Sequence, residues 1–265
     1  MERIYSLILN LILIPLRLFR FCYKKKEHNY TRLQDDEINN ISYKNNNFFP
    51  KTFISWNIQE LFLYINTNKI NNIVDRLTKF NVDLLCLQEV FDDNSKKIII
   101  DSLKNIYPYY LLGNTNKKYI IGEDSGLMIF SKYPINFVRE DKLEGLQWPD
   151  YMALKTTLYF SIGNLNFATT HLQSVYEDIS KKQLLKLFVD SPFDNFIILG
   201  DLNNSNVYNI LNVPVNNICY TCDDLILDYI LPIKYEKLDV LISVLNIDIN
   251  NTSDHLPILG EIKSQ

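Results

Sequence analysis

Carboxylate, amide and imidazole side chains recur at or just beyond the ends of short apolar runs. They are Asn57, Glu89, His171, Asp201, Asn203, Asp228, Asp254 and His255. Carboxylates and amides are ligands that a hard divalent cation accepts. An imidazole near neutral pH serves as an acid, a base or a charged clamp for a phosphate. Together these residue types suit hydrolysis of a phosphate ester, in which a cation offsets charge on the phosphate oxygens.

Each of these positions also has an ordinary structural explanation when it is taken alone. Asn57 could close a turn, Glu89 could cap a helix, and His171 could be a core histidine whose hydrogen bonds are satisfied. The joint placement favours a functional site, because two of the chain's three histidines fall in such motifs.

The apolar runs that carry these residues predict buried strands. The runs are Phe53 to Ile58, Leu84 to Val90, Leu127 to Ser131, Leu165 to Leu172, Phe196 to Leu199, Leu227 to Leu231 and Ile258 to Ile262. Helical periods lie between them, at residues 70–80, 99–106 and 179–188. This alternation predicts an α/β fold, in which a rigid sheet aims groups from several strand ends at one point.

The charge of the chain is divided unevenly about Pro50. Residues 1–50 hold 8 Lys and Arg against 5 Asp and Glu, a charge of +3, and the remainder holds 19 against 26, a charge of −7, which together give the net −4. With 47% hydrophobic residues in 265, the chain can bury a core and is not disordered as a whole. Its mild acidity argues against a protein that coats nucleic acid.

The first 26 residues combine an apolar run with basic residues. Ile4 to Leu16 is largely apolar, and Arg17, Arg20 and the triplet Lys24-Lys25-Lys26 follow it without a signal-peptide cleavage site. The segment could lie in a membrane interface as an amphipathic helix, span the bilayer, or pack on the protein itself. We predict a membrane anchor at 1–26, a polar linker at 27–50 and a catalytic domain at 51–265, with that domain facing the cytoplasm.

Ordered motifs across the predicted domain resemble the endonuclease/exonuclease/phosphatase superfamily. They are Trp56-Asn57, Gln88-Glu89, Ser125-Gly126-Leu127, Thr170-His171-Leu172, Gly200-Asp201-Leu202-Asn203, Asp228-Tyr229 and Ser253-Asp254-His255. The resemblance implies a four-layer α/β/β/α sandwich with two stacked central sheets and a metal site at one edge.

Residue chemistry and the resemblance together suggest roles in a metal-dependent phosphodiesterase. Glu89, assisted by Asn57, is the predicted ligand of Mg²⁺, with Mn²⁺ as an alternative. Asp201 would orient or deprotonate the attacking water, and Asn203 would hold a phosphate oxygen. The resemblance implies that His255 reaches the phosphate while Asp228 or Asp254 orients it, and that His171 donates to another oxygen. The division of acid and base roles between the histidines is open.

Three substrate classes remain, and the lipid class is favoured. Residues 125–135 are most similar to neutral sphingomyelinases, and the basic leader suggests a phospholipid membrane whose headgroup ester is the substrate of a monomeric enzyme. A nuclease acting on DNA or RNA is the alternative, with Lys132, Lys155 and Lys181-Lys182 as the basic residues that would grip a backbone. An inositol polyphosphate phosphatase ranks third, because residues 227–231 lack the Trp-x-Asp-Arg segment of that group.

Two further features bear on the site. Residues 147–151 are predicted to form a loop at its mouth, where an aromatic side chain could meet lipid or stack on a base. Cys219 and Cys222 form a Cys-x-x-Cys pair, but a structural zinc site needs a second pair of ligands, so we predict reduced thiols.

Overall fold

The structure is a computed structural model that describes residues 49–60, 67–116, 122–213, 220–235, 238–248 and 252–263. The predicted anchor at 1–26 and the linker as far as residue 48 lie outside these ranges, as does Cys219. Within the described residues, no helix combines the length and apolarity that crossing a bilayer requires.

Two mixed β-sheets form the centre of the fold. The first has the strand order β10-β11-β1-β2-β4-β3 and the second has the order β5-β6-β7-β8-β9. The strands of the first sheet are β1 (Thr52–Glu60), β2 (Leu84–Val90), β3 (Tyr109–Leu112), β4 (Met128–Ser131), β10 (Val240–Val244) and β11 (Ile258–Ile262). Those of the second are β5 (Asn136–Lys142), β6 (Thr156–Ile162), β7 (Leu165–His171), β8 (Phe196–Asp201) and β9 (Asp228–Ile233).

Helices cover the outer face of each sheet. They are α1 (Thr67–Lys79), α2 (Asp93–Leu103), α3 (Glu177–Asp190), α4 (Val207–Leu211) and a 3₁₀ turn at Asp150–Met152. In α1 the apolar residues Ile70, Ile73 and Leu77 recur at helical spacing and are buried. The Asp92 carboxylate accepts a hydrogen bond from the backbone N–H of Ser95, which caps the start of α2.

The buried side chains divide into three clusters that define four layers. Phe53, Cys86, Phe167 and Leu199 belong to the cluster between the two sheets. A second cluster joins the outer face of the first sheet to α1 and α2, and a third joins the outer face of the second sheet to α3 and α4. The predicted α/β/β/α sandwich is therefore confirmed.

Strand direction brings the polar motif residues to a common edge. In the first sheet β1 and β2 are parallel, and β11 runs antiparallel to β1. In the second sheet β7 and β8 are parallel, and β9 runs antiparallel to β8. In the first sheet the C-terminal ends of β1 and β2 therefore lie on the same side as the start of β11. In the second sheet the C-terminal ends of β7 and β8 lie on the same side as the start of β9.

Candidate active site

Asp201 lies at the centre of the predicted residues. It ends β8 and is fully buried. The side-chain N–H₂ of Asn57, from the other sheet, lies 3.0 Å from Asp201 Oδ2 and 3.0 Å from Glu89 Oε1. One amide thus joins two carboxylates, while its own Oδ1 accepts a hydrogen bond from the backbone N–H of Gln59 at 3.0 Å.

A glycine allows the strands to approach closely beside Asp201. Gly200 has φ 155°, and a Cβ atom built there would lie 2.0 Å from the carbonyl oxygen of Thr170 on β7. In the register of the two strands His171 lies opposite Asp201. The Gly-Asp order of the motif therefore places a buried carboxylate next to a strand-end histidine.

His171 is a buried neutral base in this arrangement. Its Nε2 lies 3.6 Å from Glu89 Oε1, 3.6 Å from Asp201 Oδ2 and 3.0 Å from Lys155 Nζ. Burial lowers the pKa of His171 well below its ordinary value, and the charges of Lys155 and His255 lower it further. Because an ammonium group can only donate, Nε2 accepts from Lys155.

His255 forms a charged pair with Asp228. Its Nδ1 lies 2.7 Å from Asp228 Oδ2, so the ring donates to the carboxylate. Burial opposes the imidazolium form, but the Asp228 carboxylate outweighs burial and raises the pKa of His255 well above its ordinary value. The other ring nitrogen, Nε2, lies 3.9 Å from Asp201 Oδ2. The two histidines are thus in opposite charge states.

The structure shows which of the two candidate carboxylates, Asp228 or Asp254, orients the His255 ring. Asp228 holds Nδ1, whereas Asp254 Oδ1 is 4.0 Å from Nε2. The Asp254 side chain is half exposed, and its Oδ2 accepts a 2.7 Å hydrogen bond from Gln59 Nε2. Asp228 is therefore the partner of the ring, and Asp254 lies at the rim of the site.

The carboxyl groups of Glu89 and Asp201 lie close together, and burial raises the pKa of each. Burial raises the pKa of Asp201 to about 7, and the Asp228 carboxylate adds to this rise. Burial, together with Asp254, also raises the pKa of Glu89. Since two carboxylates in one buried site resist ionising together, a bound cation would stabilise their charged forms.

The donor atoms fit a divalent cation. Ligand atoms of Glu89, His171 and Asp201 all lie within 4.8 Å of one another, and the oxygen donors match Mg²⁺. The Asn57 amide presents its N–H₂ group to both carboxylates, so its role as a metal ligand remains a prediction. The predicted metal ligand Glu89 thus lies beside Asp201 and His171, which were predicted to act in catalysis.

Several residues at this edge have backbones in the left-handed region. Glu89 has φ 57°, Asn203 has φ 47° and Gln59 has φ 48°. Asn203 donates its backbone N–H to Asp201 Oδ1 at 2.9 Å and its side-chain N–H₂ to the Leu172 carbonyl at 3.1 Å. Non-glycine residues in this region are uncommon, and they concentrate at functional sites.

Lys155 is a site residue that the sequence did not single out. Its ammonium group is buried and lies 2.8 Å from Asp150 Oδ1, next to His171. The other oxygen of Asp150 accepts from the backbone N–H of Ser174. A single lysine just before a strand has no spacing that marks it, so from the sequence Lys155 was only a candidate contact to a nucleic-acid backbone.

The predicted mouth loop is tied to the site through this ion pair. Asp150 begins the 3₁₀ turn, and the rings of Trp148 and Tyr151 lie 5.8 Å apart between centroids. The backbone N–H of Gln147 donates to Gln173 Oε1 at 2.7 Å. The aromatic residues of the loop therefore stand on a segment that is hydrogen bonded to the strand end carrying His171.

The other basic residues considered for nucleic acid lie elsewhere. Lys132 Nζ is 2.9 Å from Asn81 Oδ1 and 3.7 Å from Asp83 Oδ1, beside the start of β2 and so at the opposite edge from Glu89. Lys181 and Lys182 are exposed on α3.

Comparison with known proteins relates most of the chain to one family. The model of the Endonuclease/Exonuclease/phosphatase family matches residues 54–255. Sphingomyelinase C 2 of Leptospira interrogans is 28% identical over 155 residues, 46% of this chain and 24% of that protein. An uncharacterised protein of Dictyostelium discoideum is 37% identical over 75 residues, 26% of this chain and 6% of that protein. The chain thus spans at most about a quarter of the length of these curated relatives.

Solved structures share the fold at low sequence identity. Beta toxin of Staphylococcus aureus, a double mutant with bound magnesium ions, has a TM-score of 0.64 at 19% identity, and the match covers 81% of this chain and 100% of that chain. TDP2 of D. rerio, in complex with a single-strand DNA product, has a TM-score of 0.57 at 17% identity, with 81% and 99% covered.

Proposed function

This chain belongs to the endonuclease/exonuclease/phosphatase family, and from that premise we propose that it is a metal-dependent phosphodiesterase. One observation carries the proposal. The Asp201 carboxylate lies between the neutral His171 and the charged pair of His255 and Asp228, with Glu89 beside it. A base, an acid and a candidate cation site thus lie together in one buried cluster.

The proposed reaction assigns the proton donor and acceptor from the charge states. A water oxygen attacks phosphorus in line with the leaving oxygen, and Asp201 accepts the proton of that water. Burial raises the pKa of Asp201 to about 7 in the metal-free protein, and a bound cation would favour the ionised form that accepts a proton. The bond from phosphorus to the leaving oxygen breaks, and His255 Nε2 donates a proton to that oxygen. Asp228 orients the ring through Nδ1 and stabilises its charged form.

Asn203 and His171 are assigned to the non-bridging phosphate oxygens. Asn203 lies beside Asp201, to which its backbone N–H donates, and its side-chain N–H₂ donates to the Leu172 carbonyl. A donating role for His171 requires that its Nε2 gain a proton in place of the hydrogen bond from Lys155. Glu89, with Asp201 and Asn57 nearby, would hold Mg²⁺, which when bound would offset charge on the phosphate oxygens.

The proposed substrate is the headgroup ester of a phospholipid. Support comes from the similarity to Sphingomyelinase C 2, from the aromatic pair Trp148 and Tyr151 beside the site, and from the apolar and basic segment at residues 1–26. Trp and Tyr are favoured at a membrane interface, because one end of each ring is apolar and the other is polar. We propose that the leader attaches the enzyme to a membrane with its catalytic domain on the cytoplasmic side.

Nuclease activity is the second candidate, favoured by the shared fold with the DNA-bound TDP2 structure. The position of the basic residues weighs against it. Lys155 lies in the site but is neutralised by Asp150, and Lys132 lies at the opposite edge of the first sheet. A duplex backbone is gripped by Lys and Arg side chains that reach its phosphates.

A two-substrate assay tests the proposal. The full chain is incubated with sphingomyelin vesicles and with plasmid DNA, each with Mg²⁺ and with EDTA. We expect Mg²⁺-dependent release of the lipid headgroup, at least about 100-fold reduced in Asp201→Asn. The control, Asp194→Asn, changes an exposed carboxylate before β8 and should retain activity. Cleavage of DNA alone would establish the second candidate, and headgroup release unaffected by Asp201→Asn would refute the proposed chemistry.

A further inference from the structure

A thiol lies beside the histidine that the proposed reaction uses. Cys222 is a buried free cysteine whose side chain hydrogen bonds to the ring of His255. It sits in a short turn whose Thr221 hydroxyl accepts from the backbone N–H of Asp228 at 3.1 Å, and whose Thr221 carbonyl accepts from the backbone N–H of Leu256. The same turn therefore supports both members of the His255–Asp228 pair and fixes Cys222 next to them.

Cys222, His255 and Asp254 offer three different ligand atoms to one point. One ligand atom from each lies within 4.8 Å of the others, and His255 Nε2 is 4.0 Å from Asp254 Oδ1. Ligands of a tetrahedral zinc ion are roughly 3.4 to 3.6 Å apart. The 4.0 Å between His255 Nε2 and Asp254 Oδ1 is slightly wider than this spacing, and Asp254, which is half exposed, is the least confined of the three residues.

The orientation of the ring is the one that a metal-bound histidine has. A histidine that binds metal almost always donates its other ring nitrogen to a carboxylate or a carbonyl. His255 Nδ1 is held by Asp228 at 2.7 Å, which leaves Nε2 on the side of Asp254. Thiolate and imidazole are softer ligands than the oxygens at Glu89 and Asp201, and they select zinc over magnesium.

We propose that Cys222, His255 and Asp254 form a binding site for a thiophilic divalent cation such as Zn²⁺, separate from the carboxylate site at Glu89. Water would complete a four-coordinate ion. Binding releases two protons, one from the Cys222 thiol and one from His255 Nε2, and the ion then occupies Nε2. The regulatory consequence rests on the proposed function: an occupied Nε2 cannot donate to the leaving oxygen, so the ion inhibits hydrolysis.

Cobalt is the probe, because Co²⁺ takes tetrahedral zinc sites and a thiolate bound to it absorbs in the near ultraviolet. The full reduced chain is titrated with Co²⁺ in excess Mg²⁺, which occupies the oxygen site, and Zn²⁺ is then added to displace the cobalt. We expect the thiolate band in the wild type and its loss in Cys222→Ser. Zn²⁺ affinity should fall about tenfold or more in Asp254→Asn, since changing a residue that only hydrogen bonds to a metal ligand already costs this much.

Two control variants sharpen the result. Asp223→Asn changes the exposed carboxylate next to Cys222, and Cys219→Ser removes the other cysteine of the Cys-x-x-Cys pair. Both should keep the band. Loss of the band in Cys219→Ser together with full affinity in Asp254→Asn would show a Cys-x-x-Cys site and overturn the proposal.

Absence of the band in the wild type would also overturn it, whether or not Cys222→Ser folds. The optical readout does not depend on substrate, so failure of the site and failure of the proposed activity are distinguishable.

Discussion

Replacing Asp228 with asparagine removes the charge that faces His255 while keeping the shape of the side chain. At 2.7 Å between Nδ1 and Oδ2, the Coulomb attraction is about 6 kcal/mol at an effective dielectric constant of about 20. Much of this is offset by the burial of both groups. Breaking such a buried pair by removing one partner costs about 3 to 5 kcal/mol, and we expect that loss in the unfolding free energy of Asp228→Asn.

The loss should depend on pH with a definite sign. The pKa of His255 is raised in the folded protein, so the pair stabilises fully below the unfolded value of about 6.5. Its contribution disappears as pH rises through the folded value. The difference in unfolding free energy between wild type and Asp228→Asn should therefore be larger at pH 6 than at pH 9, as measured by urea unfolding of the metal-free protein.

The pKa itself is accessible by NMR, because the chain has only 3 histidines. In the wild type His255 should titrate above the ordinary range, and His171 should stay neutral into the acid range. In Asp228→Asn the largest cause that opposes burial is removed, while Asp201 and Cys222 remain, so the pKa of His255 should fall from its raised value. Turnover should drop about 100-fold or more with the loss of the proton donor.

The matched control for Asp228→Asn is Asp224→Asn, which alters an exposed carboxylate in the same segment. This control should leave the His255 titration unchanged. If His255 titrates identically in wild type and Asp228→Asn, the assignment of its charge to Asp228 is wrong.

Three further outcomes are expected. Lys155→Met and Asp150→Asn should each cost about 3 kcal/mol of unfolding free energy in urea, and the double variant should cost at least about 1 kcal/mol less than their sum; additivity would show that the pair is not coupled. Burial raises the pKa of both Asp201 and Glu60 to about 7, so the folded metal-free chain binds more protons than the unfolded chain. Its unfolding free energy should therefore fall as pH rises from about 4, the unfolded pKa, through about 7, the folded pKa, and Mg²⁺ should raise it again at pH 8; a flat profile by calorimetry would contradict this. Deleting residues 1–26 should release the protein from membranes in a flotation assay, whereas unchanged flotation would argue against the anchor.

The sequence predicted seven of the eleven strands that the structure describes and missed β3, β5, β6 and β10. The omission of β6 (Thr156–Ile162) is not explained by exposure, because this strand is buried and lies inside the second sheet. Leu84–Val90 and Ile258–Ile262 were predicted with their observed bounds, because continuous apolar runs mark central strands. β5 was missed since Asn136–Lys142 is an edge strand with half-exposed charged residues. β3 and β10 were missed because each is short and lies at an edge of the first sheet.

The sequence predicted the residues at the centre of the site but not which residues position them. Strand-end motifs placed Asp201, Glu89 and the histidines together, since parallel strands share an edge. The choice of Asp228 over Asp254 required coordinates, because adjacent residues in a loop point in directions that spacing does not determine. Lys155 was undetectable as a site residue for a different reason: its partner Asp150 reaches it through the fold of a loop.

Contacts between β1 and the segment that leads into β11 determine when the catalytic residues come together during folding. Ser253 Oγ donates to the carbonyl of Asn57 at 2.6 Å, and Trp56 Nε1 donates to the carbonyl of His255 at 2.9 Å, across 199 residues of chain in the latter case. Such distant contacts form late, since closing a long loop is entropically costly. A chain that lacks these contacts would therefore have the carboxylates of β2 and β8 without the imidazole of His255 in place. Hydrolytic activity should emerge in a single step with native packing, so that turnover itself reports the completed fold.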